Sequence, residues 1–235
     1  MNKKKALVIG SGFAGMSAAI NLAHKGFDVT VLEKNNTIGG RARQFSDSGF
    51  TFDMGPSWYW MPDVFESFFN KFGKSVSDYY ELIRLDPSYK VVYENSDEMD
   101  IPADMKALED LFESIEPGTR VQLRAFLKQA AYKYEVGINK LVYKPGRSLT
   151  EFTSLKLLVD VVRMDVFQSM SKHVRKFFKH PRLIQLMEFP VLFLGALPEN
   201  TPALYSLMNY ADMSLGTWYP KGGMHKIVEA MGQLA

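Results

Sequence analysis

Three glycines spaced Gly10-x-Gly12-x-x-Gly15, an acid at Glu33, and the run Gly39-Gly40-Arg41 are the residues whose types and spacing point to chemistry. The first glycine permits a tight turn, the second lets a pyrophosphate approach the backbone, and the third allows a helix to pack close to a strand. Glu33 lies where a carboxylate accepts both hydroxyls of an adenosine ribose and repels a 2′-phosphate, which disfavours NADP. Gly40 permits close backbone approach to a ligand. Arg41 can pair with phosphate or with a polar cofactor edge, and Arg43 is as readily a surface charge. Ser11, Phe13 and Ala14 within the turn and Lys34 beside the acid complete the cofactor-binding positions of this stretch.

The elements that must hold these residues are legible around them. Ala6 to Ile9 is short, apolar and rich in branched side chains, as a buried parallel strand requires. Ala14 to Lys25 reads as a helix with Met16, Ala19, Ile20 and Ala23 along its apolar side, ended by Gly26. Its N-terminus offers free N–H groups and a partial positive charge to a pyrophosphate. Asp28 to Leu32 is a second strand. Strand, glycine triplet, helix, strand and terminal acid in this order predict an α/β, Rossmann-like dinucleotide fold. The motif alone leaves NAD and FAD open.

Composition narrows the rest. The chain has 235 residues, 46% of them hydrophobic, and a formal net charge of +2, which gives no electrostatic footprint for nucleic acid. It has no cysteine, which excludes disulfides and thiolate chemistry. Its four histidines lack ligand spacing, so no metal site is expected. The basic start Lys3-Lys4-Lys5 leads into an apolar run too short for a secretory leader. No apolar run reaches the roughly 18 residues of a membrane span; the longest, Phe189 to Leu197, contains Pro190 and Gly195.

Downstream, Phe50 and Phe52 alternate with Thr51 and Asp53 as in a half-buried strand, followed by Met54-Gly55-Pro56-Ser57-Trp58-Tyr59-Trp60. Later come Leu85-Asp86-Pro87-Ser88-Tyr89 and Trp218-Tyr219-Pro220-Lys221-Gly222-Gly223-Met224. Taken in order with Gly10 to Arg43, these segments resemble the bacterial phytoene desaturases, carotenoid desaturases of the amine-oxidase-like flavoprotein superfamily. The resemblance runs along essentially the whole chain. It implies noncovalent FAD, with Gly10, Gly12, Gly15, Glu33, Gly40 and Arg41 toward the ADP half and Gly55, Pro56 and Ser57 toward the flavin end. Trp58 and Tyr59 then either shape the pocket beside the ring or are ordinary core aromatics. It also implies a Rossmann-like FAD domain with an inserted mixed-sheet and helical domain for substrate and membrane association. The division is expected at residues 1–85, 86–217 and 218–235, the last being the start of a return to the FAD domain. Family members are longer, and their later half supplies further flavin contacts, so a fragment, a truncated chain or half of a split protein is expected, binding FAD weakly or not at all by itself.

The remaining chain carries structural rather than catalytic signals. Pro62 and Gly73 bracket a helix whose stripe of Val64, Phe65, Phe68, Phe69 and Phe72 reads as core before it reads as channel lining. Tyr89 to Glu94 and Glu98 to Ile101 read as paired strands, Met105 to Ile115 and Thr119 to Lys140 as helices. The acidic stretch Asp86 to Glu116 reads as a solvated face. An amphipathic helix is expected from Leu149, with Glu151 at its head the one weak option for a proton acceptor. Ser171 to His180 is a basic run with Phe177 and Phe178, either a solvated face with a phenylalanine in the core or a membrane-surface element. Thr201-Pro202 predicts an N-cap for a helix over Ala203 to Met213, and His225 to Gln233 a final helix.

The resemblance implies an FAD-dependent desaturase of a linear carotenoid precursor such as phytoene, a hydrophobic polyene bound by burial of apolar surface. A hydride would pass to the flavin and a proton leave the adjacent carbon. The alternatives are another FAD-dependent oxidoreductase or isomerase acting on a carotenoid, or a non-catalytic FAD-binding fragment. The expected location is cytoplasmic, peripheral to the inner face of the cell membrane.

Overall fold

A computed structural model describes residues 3–143 and 164–235. The expected amphipathic helix from Leu149, with Glu151, lies outside the described residues. The chain divides into two units, Met1–Arg84 with Trp218–Ala235, and Leu85–Thr217.

The first unit opens with β1 (Lys5–Ile9), α1 (Phe13–His24) and β2 (Asp28–Leu32). β1 and β2 pair in parallel, Lys5 opposite Asp28 and Ile9 opposite Leu32. Gly26, at φ 85°, turns the chain out of α1, as its position after the helix predicts. A 3-10 turn, Gly40–Ala42, leads to the hairpin of β3 (Gln44–Asp47) and β4 (Phe50–Asp53). Its two connecting residues, Ser48 and Gly49, both have positive φ, the geometry that matches a hairpin to strand twist. α2 (Pro62–Asn70) follows, and β5 (Leu82–Arg84) pairs antiparallel with β8 (Trp218–Pro220).

The core of this unit joins Met16 and Ile20 of α1, Phe69 of α2, Tyr59, Tyr80 and the final helix residues Ile227, Val228 and Met231. The aromatic stripe of α2 is therefore core, with Phe69 fully buried and Phe65, Phe68 and Phe72 packed beside it. Tyr59 is a core aromatic whose hydroxyl meets that of Tyr80 at 3.0 Å. Two strands depart from expectation. Ile9 is 83% exposed and Phe50 68% exposed. α1 covers only one face of the β1–β2 pair, and the phenylalanines of the hairpin stack on one another, Phe45 on Phe52 at 5.0 Å, instead of on a core.

The second unit contains the antiparallel pair β6 (Tyr89–Val92) and β7 (Glu98–Ile101). Met99 and Ile101 point inward while Glu98 and Asp100 face out, the period-two alternation of a one-sided strand. α3 (Met105–Ile115) is capped by Asp104, whose carboxylate accepts from the Ala107 N–H at 2.9 Å. α4 (Thr119–Val136), α5 (Met170–Val174) and α6 (Pro181–Glu188) complete the packing. Phe112, Leu123, Phe126, Phe178, Leu183 and Met187 are buried at its centre.

The expected helix over Thr119 to Lys140 ends as an α-helix at Val136 and continues as a π-turn, Gly137–Leu141. The one expected over Ala203 to Met213 is a 3-10 turn (Ala203–Ser206), a short α segment, α7 (Leu207–Asn209), and a second π-turn (Tyr210–Ser214). Thr201 does not cap it; the Thr201 hydroxyl donates instead to the Leu197 carbonyl at 2.8 Å. The basic run is folded in: Phe178 is fully buried, Arg175 pairs with Glu188, and Lys176 reaches Gln168 at 2.7 Å. The acidic stretch is paired as well, with Glu109 gripping Arg124 through two bonds of 2.6 Å.

Candidate cofactor site

The site is assembled from backbone brought unusually close to backbone. Gly15 in the first turn of α1 lies against Gly10, and a Cβ there would run into the Gly10 carbonyl oxygen. The turn before α1 therefore folds back under the helix, as the third glycine of the motif requires. Gly40 stacks on Gly12, where a Cβ would come within 3.1 Å of the Gly12 Cα. Gly55 approaches the Arg41 carbonyl so closely that no side chain fits between them. The Gly39 N–H donates to the Ser11 carbonyl at 2.9 Å, joining the two glycine turns directly. Gly10, Ser11, Gly12, Phe13, Ala14, Gly15, Gly40, Arg41 and Gly55 thus come together around the N-terminus of α1.

That N-terminus is free to receive an anion. Its N-cap, Gly12, makes no side-chain capping bond, and no acid stands in the first turn. No capping side chain and no first-turn acid of α1 itself offsets the partial positive charge of the helix end. α2 differs, with Asp63 in its first turn.

Glu33 ends β2 beside the same turn. Its Oε2 accepts from the Ser11 N–H at 2.9 Å and the Ser11 hydroxyl at 2.6 Å. Its Oε1 accepts from the Asn35 N–H at 2.9 Å and the Asn35 amide at 2.6 Å. The Ser11 hydroxyl, then the Ser11 and Asn35 backbone donors, pull the Glu33 carboxyl down to about 2. The acid is thus a fixed anion. Lys34 is exposed next to it, and Arg43 turns its guanidinium onto the Gly40 carbonyl at 2.9 Å, so Arg43 buttresses the turn.

Ser57 lines a cavity of about 430 Å³ with Gln44, Asp53, Tyr219 and Gly223. Pro56 is half-buried just before it. Sequence reasoning passed over Asp53, although it organises this region. Its carboxylate accepts from the Tyr219 hydroxyl at 2.8 Å, the Met224 N–H at 2.8 Å and the His225 N–H at 3.2 Å. Those last two donors begin α8 (His225–Leu234). Asn35 was also missed; an amide two residues past the ribose acid was its only signal. Among the described residues no cluster of acids, histidines or cysteines could hold a metal ion.

Close backbone approaches that leave no room for a Cβ at Gly15, Gly40 and Gly55, an uncapped helix N-terminus and a fixed carboxylate at the strand end fit a dinucleotide of the FAD type. The comparisons agree. Residues 13–235 match the flavin-containing amine oxidoreductase family, and the chain belongs to that family. That family is flavin-containing, and FAD is the flavin dinucleotide that the site fits.

Within the family the similarity falls on carotenoid desaturases. The chain is 42% identical over 228 residues to a carotenoid 3,4-desaturase of Haloarcula japonica, covering 97% of this chain and 46% of that protein. It is 34% identical over 232 residues to a zeta-carotene-forming phytoene desaturase of Myxococcus xanthus, covering 99% of this chain and 45% of that protein. The chain thus spans about half the length of these relatives. Solved structures share the fold at low identity. A putrescine oxidase variant aligns with a TM-score of 0.61 at 13% identity, over 98% of this chain and 48% of its own. A fatty acid isomerase from P. acnes aligns with a TM-score of 0.56 at 16% identity, over 99% of this chain and 49% of its own.

Proposed function

We propose that this chain forms the ADP-binding part of an FAD-dependent carotenoid desaturase acting on a linear precursor such as phytoene. The observation that carries the reading is the match to a carotenoid 3,4-desaturase across 97% of the chain with the glycine cradle intact. When bound, FAD supplies the hydride acceptor that removal of hydrogen from a hydrocarbon needs.

The protein's part is binding and orientation. Gly10, Ser11, Gly12, Phe13, Ala14 and Gly15 offer backbone and the α1 N-terminus to the pyrophosphate. Glu33 receives the ribose hydroxyls. Both its oxygens are engaged here, so a ribose would compete with the Ser11 hydroxyl and the Asn35 side chain for them, while the two backbone donors would keep the carboxylate in place. Gly40, Arg41 and Lys34 flank that half, and Gly55, Pro56 and Ser57 border the flavin end.

The substrate carries no polar handle, so its recognition rests on apolar burial. Association with a membrane surface fits such a substrate. Among the described residues no helix is long and apolar enough to cross a membrane. The second unit exposes Leu192, Phe193, Leu194 and Leu197 in one uncharged segment, which supports a peripheral contact through that turn better than through the basic run.

The test is anaerobic incubation of the FAD-loaded protein with phytoene in liposomes. Bleaching of the oxidised flavin band with formation of a longer conjugated polyene is expected. A double-bond shift without flavin reduction would replace desaturation by isomerisation, and bleaching by amines alone would contradict the reading.

A further inference from the structure

The dinucleotide motif does not account for Asp53, which joins three separate segments. It closes β4, yet its carboxylate receives the Tyr219 hydroxyl and the first N–H groups of α8. A carboxylate at that place neutralises the positive end of the helix, so the start of α8 is an anchored element and offers no second anion site.

From α8 the linkage continues to the glycine turns. His225, nearly buried, turns its Nδ1 onto the Ala42 carbonyl at 3.1 Å. The acceptor is a carbonyl, so Nδ1 carries the proton. One turn on, Val228 lies where a Cβ on Gly39 would come within 3.0 Å of either of its methyls. Gly39 in turn donates to Ser11. Asp53 therefore holds α8, α8 holds the Gly39–Ala42 turn by one hydrogen bond and one packing contact, and that turn holds the pyrophosphate loop. Gly223 sits so close to Asp53 that a Cβ would come within 3.4 Å of both carboxylate oxygens, which keeps the last link short.

We propose that Asp53 is a positioning residue of the cofactor site. It touches no part of the dinucleotide motif itself, and it fixes the Gly39–Ala42 turn through α8 and His225. The proposal rests on the FAD reading of this unit and adds the residue on which the site's preorganisation depends.

The experiment combines hydrogen exchange of the FAD-free full chain with FAD titration, for the wild type, Asp53→Asn and Tyr219→Phe. Asn keeps the shape but not the charge, and its amide nitrogen cannot accept from Tyr219. With Asp53→Asn, exchange should rise at Met224 and His225 and also at the distant Gly39 to Ala42 amides. FAD affinity should fall about tenfold, the scale of one charge-assisted hydrogen bond, with a changed bound-flavin spectrum. Tyr219→Phe, losing one donor of three, should lower affinity about twofold to threefold.

Faster exchange confined to Met224 and His225, or unchanged FAD affinity and spectrum, would overturn the proposal. If Asp53→Asn does not fold, His225→Ala decides: it cuts the next link, and unchanged exchange at Gly39 to Ala42 would overturn the proposal equally. A wild type that takes up no FAD would sink the cofactor reading, while the exchange measurement would still decide the positioning role.

Discussion

The two units of this chain are held by opposite means. In the first, the decisive contacts are backbone against backbone, Gly15 on Gly10, Gly40 on Gly12 and Gly55 on Arg41, and large apolar side chains of β1 and β4 stand exposed. In the second, the decisive contacts are side chain against side chain, with Phe112, Phe126 and Phe178 clustered and Lys133, His173 and Asp212 sealed inside. A ligand that is itself a chain of phosphates and sugars needs free backbone groups and the absence of side chains. A unit built around its own side chains needs close packing of those side chains. The difference teaches that the first unit is shaped around something it must hold, and the second around itself.

The sealed charges of the second unit show how such an interior is satisfied. Lys133 is fully buried, yet its ammonium meets Asp165 at 3.0 Å, the Ala203 carbonyl and the Ser206 hydroxyl at 3.1 Å, and His173 Nε2 at 3.3 Å. Burial, then the Lys133 charge, push His173 down to about 4, so the ring is neutral and its Nε2 can accept from the lysine. Asp212 in the second π-turn accepts from Tyr89 at 2.6 Å and Thr217 at 2.8 Å, and burial raises it to about 6.

The largest expected effect breaks the second unit alone. Phe126→Ala should cost about 3–5 kcal/mol in denaturant unfolding, because a fully buried aromatic leaves a cavity. FAD affinity should stay near wild type if the units fail separately. Lys133→Met keeps the stem packing but removes the ammonium that ties Asp165, Ala203 and Ser206 together, and should cost about 2 kcal/mol. Glu33→Gln acts on the other side of the comparison. It should weaken FAD about tenfold, read by flavin fluorescence, with little change in unfolding.

A further expected effect is a pH dependence. Asp212 has a folded value near 6 against an ordinary 3.8. The stability favouring its protonated form is present below about 4 and lost as pH rises through 6. The stability of Asp212→Asn relative to wild type should therefore improve between pH 4 and pH 7, measured by thermal unfolding at each pH. A flat difference would show that Asp212 titrates normally.

Much of the first unit was legible because glycine spacing is a direct imprint of steric need. Gly10, Gly12, Gly15, Gly40 and Gly55 come together, and α1 and β2 fall where the pattern placed them. Asp53 and His225 were not legible, since their partners lie 172 and 183 positions away and no local pattern marks them. The exposure of Ile9 and Phe50 escaped notice for a related reason. Apolar alternation reports what a strand could bury, and only the fold reports what covers it. In the second unit, helices α3 and α4 followed their periodicity, but the π-turns did not announce themselves, because one widened turn hardly alters the spacing of apolar residues. The basic run was ambiguous by composition, and packing of Phe178 decided it.

The central claim, that the first unit is an FAD cradle built from side-chain-free backbone, is tested most directly by titrating FAD into the wild type and Gly15→Ala. A methyl on Gly15 runs into the Gly10 carbonyl and must push α1 off the pyrophosphate loop. The account predicts FAD binding by the wild type and a loss of about a hundredfold or more in the variant, with the second unit's unfolding unchanged. Equal FAD affinity in the two proteins, or none in the wild type, would contradict it.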